Sequence, residues 1–291
     1  MAVVLSFIAT LVHFVLCFVA APLVQGVIDK IRARLLGRRG PPLLQPYRHL
    51  AKLLRKATIV PVTATAFFTI WPVVVFVALA LAVMLIPGFC DGLLTAGAGD
   101  YVVIIGLLAL ARAALLLAGL ENGSAQAGAV VARALVPEVF ALAILLVLWL
   151  VFAGGRVIAA GHLVASGLAL FALLIVAFVL LDQDETLKLD YAGRLRALLE
   201  YAGMLRVLVW LNLISAYIMP FGMAHAAFLT SWPVGLLAWV GKLILFSALL
   251  AGADVLRTQR PFTRVPAVLG LALALALLGC LFAVVVLRGV A

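Results

Sequence analysis

The 291-residue chain is 67% hydrophobic and only 11% charged, with a mean hydropathy of +1.32. That profile excludes a soluble globular domain and predicts an all-helical, polytopic membrane protein forming a single domain over 1–291. The formal net charge of +10 raises nucleic acid as a partner, but the cations sit in short segments between apolar runs, as membrane topology arranges them.

The first predicted span is Met1–Gln25. No basic residue precedes its apolar core, so it reads as a retained helix with its N-terminus outside rather than as a cleaved signal. His13 within it reads first as a neutral packing residue. The segment 26–60 follows as a basic cytoplasmic loop. It holds nine of the chain's 21 Lys and Arg residues: Lys30, Arg32, Arg34, Arg38, Arg39, Arg48, Lys52, Arg55 and Lys56. Ile28–Leu36 and Tyr47–Lys56 have helical periodicity. Between them Gly37–Pro42 must break the helix, with Gly40 free to take a positive φ and Pro41-Pro42 removing two amide donors. A belt attracted to anionic lipid needs the charge but not this stiff elbow.

Seven further spans are expected at Thr65–Pro87, Tyr101–Leu120, Leu135–Ala153, His162–Leu181, Tyr201–Pro220, Pro233–Ala253 and Pro266–Leu287, each suited to a ~30 Å hydrocarbon core. Eight spans leave both termini outside. The cations agree: sixteen fall on the cytoplasmic segments, and only Arg156 and Arg288 fall outside. The connection Gly88–Asp100 carries Asp91 and Asp100 but no cation, as an outside loop should.

Chemistry-bearing motifs are few. Cys17, Cys90 and Cys280 stand alone, so this chain by itself builds neither an iron–sulfur cluster nor a nickel site, and no metal site is expected. No phosphate loop, nucleophile elbow or zinc motif occurs. Catalytic residues are therefore not expected, and redox centres belong to partners. The informative polar residues lie in or beside spans: Arg112, Glu121, Arg133, Glu138, Glu200, Arg206, Lys242 and Asp254. A charge at bilayer depth costs at least ~2.5–3.5 kcal/mol unless partnered or hydrated. These residues are candidates for a proton path or for buried ion pairs, and Glu138, Glu200 and Asp254 are all open as partners of Lys242.

The loop sequence RARLLGRRGPPLLQPYRHLAKLLRK resembles the first cytoplasmic loop of formate hydrogenlyase subunit 4, the membrane subunit of energy-converting [NiFe]-hydrogenases, a family related to subunit 1 of respiratory complex I. The resemblance rests on the Arg-x-Arg pair, the Arg-Arg-Gly-Pro elbow, Gln45, Tyr47-Arg48 and Lys52-Leu53-Leu54. It continues in the order Arg112, Gly119-Leu120, Glu121, Gly123-Ser124, Arg133, and in the placing of Arg206 and Lys242. The chain departs from the family at 182–200, where a shortened third cytoplasmic loop, DQDETLKLD leading into Asp190-Tyr191-Ala192-Gly193, replaces a longer acidic segment.

The resemblance implies a complex I subunit 1-like fold in a cell inner membrane. It implies a non-catalytic "heel" subunit that docks a soluble redox module and couples it to ion translocation. The docking residues it points to are Arg32, Arg34, Arg38, Arg39, Gly40, Pro41, Gln45, Tyr47, Arg48 and Lys52. The implied partners are soluble hydrogenase-like large and small subunits, carrying nickel-iron and iron–sulfur centres, together with antiporter-like membrane subunits. Two alternatives stand beside it: a stand-alone ion transporter or channel that keeps the fold, and a quinone-binding membrane subunit.

Overall fold

The computed structural model describes residues 2–61, 64–97, 101–121, 125–153, 191–218, 221–226, 228–259 and 265–289, together with Leu168, Ala172, Ile175, Val176 and Lys188. The helices are α1 (Ala2–Leu35), α2 (Gln45–Arg55), α3 (Phe67–Leu85), α4 (Tyr101–Leu120), α5 (Ala125–Ala153), α6 (Gly193–Ile218), α7 (Trp232–Gln259) and α8 (Val265–Gly289). Six of them, α1 and α3 to α7, are long and apolar enough to cross a membrane, and α8 contributes a further apolar stretch, Ala267–Leu281. The chain is a multi-pass, all-helical membrane protein. The span expected at His162–Leu181 lies almost wholly outside the described residues.

Four helices start or end well beyond their expected bounds, α7 among them, which runs on to Gln259. α1 does not stop at Gln25, because nothing between that residue and Leu35 breaks a helix. Its 34 residues make a rod about 51 Å long at 1.5 Å per residue, so its last turns project beyond a ~30 Å core. α5 begins at Ala125 and takes in Arg133, which the sequence had suggested for a loop. Residues 193–200, expected to end the third loop, are the first two turns of α6.

α6 is the central helix. Its membrane window is 78% buried, against 28–56% for the other five. α3 packs along α4 and α6, α4 along α5, α5 along α8, and α1 along both α6 and α7. Small residues line these seams, among them Ala9, Ala21, Ala78, Ala82, Ala111, Ala114, Ala118 and Ala202, all nearly inaccessible. Lipid tails are as apolar as the side chains they replace, so close backbone approach, not hydrophobic transfer, holds such helices together.

At the end of the molecule away from the elbow, the connections leaving α3 and α6 meet as two-residue parallel strands, β1 (Cys90–Asp91) and β2 (Ala224–His225). Behind them lies a buried polar network. The His13 ring sits with Nε2 3.0 Å from the Ile86 carbonyl and 3.3 Å from that of Val83. Both neighbours only accept, so Nε2 carries the proton. Cys17 lies 3.6 Å from the same ring, Asn212 reaches Cys17 at 3.7 Å, and the Trp239 indole donates to Asn212 at 2.9 Å. The network joins α1, α3, α6 and α7, and His13 acts in it as a satisfied packing residue.

Candidate functional site

The basic elbow is a fixed structure. α1 ends in a Schellman cap: Gly37 takes φ +71°, its N–H bonds to the Arg34 carbonyl at 3.0 Å, and the Arg38 N–H bonds to that of Ala33 at 2.8 Å. Gly37, not Gly40, is therefore the residue with positive φ. Gly40 serves close approach instead, since a Cβ there would lie 3.0 Å from the Lys30 backbone. Further back, a Cβ on Gly26 would lie 2.3 Å from the Leu43 carbonyl oxygen. The chain thus doubles back along α1, with Pro41 partly covered, and enters α2 at Gln45 with proline in the first turn.

α2 buries Pro46, Leu50 and Leu53 against α1 and α6 and leaves Gln45, Arg48 and Lys52 exposed. Arg34, Arg38 and Arg39 are exposed as well. The elbow therefore presents a cationic surface on a backbone pinned at two glycines and a cap. Two of the expected docking residues also make contacts within the chain. Arg32 pairs with Asp254 of α7 at 3.1 Å, a half-exposed bridge worth under ~1 kcal/mol. The Tyr47 hydroxyl donates to the Val19 carbonyl of α1, and its partial burial pushes the phenol pKa up.

The second constellation is interior. Arg112 of α4 pairs with Glu138 of α5, both little exposed, and Arg206 of α6 closes the other side of a cavity of about 20 Å³ that Trp210 and Leu145 also line. That volume is large enough for one water. Across the Arg112–Arg206 pair a smaller cavity, about 10 Å³, is bordered by Lys188 and Gly203. Lys188 is 6% exposed, and a Cβ on Gly203 would lie 2.7 Å from its Nζ. Three cations and one carboxylate therefore converge here among the described residues. Lys188 was not singled out from sequence: a lysine in a loop carries no local mark of turning inward.

The remaining expected polar residues are dispersed. Glu121, at the end of α4, accepts from the Thr65 hydroxyl. Glu200 pairs with Arg196 one turn back at 3.6 Å. Arg133 belongs to α5, and its side chain lies outside the described residues. Burial raises the pKa of the Asp91 carboxyl on β1, with His225 and Lys242 acting in the opposite sense. Among the described residues, no three His, Cys, Asp or Glu side chains converge as metal ligands, and the three cysteines sit apart on α1, β1 and α8.

The chain matches known proteins over most of its length. The sequence profile of the family described as NADH dehydrogenase matches residues 7–182. The chain belongs to that family, the complex I subunit 1-like membrane proteins. It is 28% identical to hydrogenase-4 component C of Escherichia coli (strain K12) over 94% of this chain and 95% of that protein. It is 36% identical to formate hydrogenlyase subunit 4 of the same organism over 41% of this chain and 39% of the relative. Among solved structures, a chain of the membrane-bound sulfane sulfur reductase, an archaeal respiratory membrane complex, superposes with a TM-score of 0.71 at 18% identity, covering 96% of this chain and 99% of that one.

Proposed function

We propose that this chain is the membrane anchor subunit of a complex I-like, energy-converting hydrogenase-type assembly. It docks a soluble redox module on its basic elbow and couples that module to ion-translocating membrane partners. The observation that carries this reading is the elbow itself. Attraction to lipid needs only mobile cations, whereas here Arg34, Arg38 and Arg39 stand on a backbone locked by the Gly37 cap and by the Gly26 and Gly40 contacts. Preorganisation of this kind lowers the cost of binding a shaped partner. The names of the two bacterial relatives point the same way.

In this assembly the elbow faces the cytoplasm from an inner membrane and both termini lie outside, a placement that the cation bias supports. Electron transfer runs through iron–sulfur and nickel-iron centres of the partners. The Arg112–Glu138 pair with Arg206 clamps α4, α5 and α6. Guanidinium groups do not release protons at working pH, so this cluster holds helices together rather than relaying protons.

Charge reversal tests the docking role. Replacing Arg34, Arg38 and Arg39 with Glu leaves the chain inserted but releases the soluble module, because reversing charges in a desolvated interface costs ~2–5 kcal/mol. Undiminished co-purification at moderate salt would instead support a lipid belt.

A further inference from the structure

The two cavities of the interior cluster differ in chemistry. The larger, about 20 Å³, has the Glu138 carboxylate on its wall together with Arg112 and Arg206. The smaller, about 10 Å³, lies between α3, α4 and α6, and the polar side chains among its described lining residues are Lys188, Arg112 and Arg206. Lysine and arginine only donate hydrogen bonds. The rest of that lining is apolar, Leu79 and Leu115 included.

The packing seats Lys188 at this cavity. α6 carries a glycine where the ammonium meets it, and a Cβ on Gly203 would lie 2.7 Å from Nζ and 3.6 Å from Cε of Lys188. Arg206 follows three residues later, on the same face of α6. Ion pairs between described residues join Arg32 to Asp254, Arg112 to Glu138 and Arg196 to Glu200, and Lys188 belongs to none of them. At 6% exposure its ammonium is also withdrawn from bulk water. A buried ion without a counter-charge is strongly destabilising, so the cavity beside it calls for an acceptor.

We propose that the smaller cavity binds one halide-sized anion, chloride in the cell, held by Lys188, Arg112 and Arg206. Water suits the size but not the chemistry. It would have to place two O–H groups of its own, and the described side chains around it offer no acceptor. Chloride accepts from every donor present and brings no hydrogen. Its charge offsets that of Lys188 where the low dielectric strengthens their attraction. A cavity on the scale of one water leaves no room for sulfate or an organic carboxylate. Water belongs instead in the larger cavity, where Glu138 can accept from it. The site stands whether or not anything docks at the elbow.

Chloride binding to the full chain in detergent tests it. Equilibrium dialysis with radiolabelled chloride gives a single ion per chain. Melting temperature in chloride or bromide exceeds that in gluconate at matched ionic strength by ~5 °C once the site is filled. Lys188→Met keeps the apolar stem but removes the donor, and it weakens binding about tenfold or more, the loss of one hydrogen bond to a charged group. Arg55→Met, which removes an exposed cation of α2, leaves binding unchanged. The wild-type measurements decide the matter even if a variant fails to fold. No bound chloride, melting indifferent to halide as when a carboxylate of the chain meets Lys188, or a halide effect that survives Lys188→Met intact overturns the proposal.

Discussion

The Tyr201 hydroxyl donates to the Phe18 carbonyl at 2.7 Å, and Phe18 is the residue whose carbonyl Pro22 deprives of its helical donor. Proline lacks an N–H, so the oxygen four residues back is orphaned inside the membrane. Tyr201 of α6 supplies the missing donor, and Tyr47 of α2 supplies one to the next carbonyl, Val19. The proline of α1 is thus secured from the central helix on one side and from the elbow helix on the other. Tyr201→Phe leaves the Phe18 oxygen unsatisfied and lowers stability by ~1–3 kcal/mol. In a Pro22→Ala background the restored helical N–H takes over, and the same substitution costs much less. A double-mutant cycle of melting temperatures in detergent checks this coupling, and strictly additive losses would refute it.

The elbow glycines separate by mechanism. Gly37 has open space around its Cβ position, so Gly37→Ala bears only the left-handed backbone strain, ~1 kcal/mol, and keeps the elbow in place. Gly26→Ala drives a methyl into the Leu43 carbonyl and lifts the returning chain off α1. Limited proteolysis within 37–44 reads the difference, with rapid cleavage expected for Gly26→Ala and near-native resistance for Gly37→Ala.

The interior ion pair predicts asymmetric losses. Glu138→Gln leaves Arg112 beside Arg206 and Lys188 with no carboxylate among the described lining residues, a loss of ~3–5 kcal/mol. Replacing Arg112 and Glu138 together by Met removes both charges and costs less than Glu138→Gln alone. Tryptophan-fluorescence melting is a suitable readout because Trp210 lines the cavity. A double variant weaker than either single one would speak against the pairing.

Asp91 gives a pH signature. Its carboxyl pKa is raised in the folded chain, chiefly by burial. A raised pKa means the folded state holds the proton more tightly than the unfolded state. Its stabilising contribution is therefore full below the ordinary carboxylate value and is lost as pH rises through the raised one. Asp91→Asn removes that loss, so the variant gains melting temperature relative to wild type as pH rises above the ordinary carboxylate value of about 4. Parallel melting curves across that range would contradict the assignment.

The elbow, the helical character of most spans and the membrane class were legible in the sequence because each depends on local signals: periodicity, Gly-Pro-Pro punctuation and charge bias. What escaped was set by tertiary approach. That Gly37 takes the positive φ while Gly40 accommodates Lys30 follows from how the chain folds back, not from the residue types. Arg32 was read only as a docking residue, and α7 places Asp254 beside it as well. Tyr47 was singled out as part of a motif, yet its carbonyl partner exists only because α2 returns to the level of Val19.

Docking at the elbow is tested most directly by a photo-activated benzophenone amino acid placed at Arg38, with the chain expressed in its native membrane and irradiated there. A cationic platform for a redox module predicts a covalent adduct between position 38 and a soluble polypeptide that carries an iron–sulfur centre, identified by mass spectrometry. Adducts with lipid alone, while the chain is inserted and folded, would contradict it.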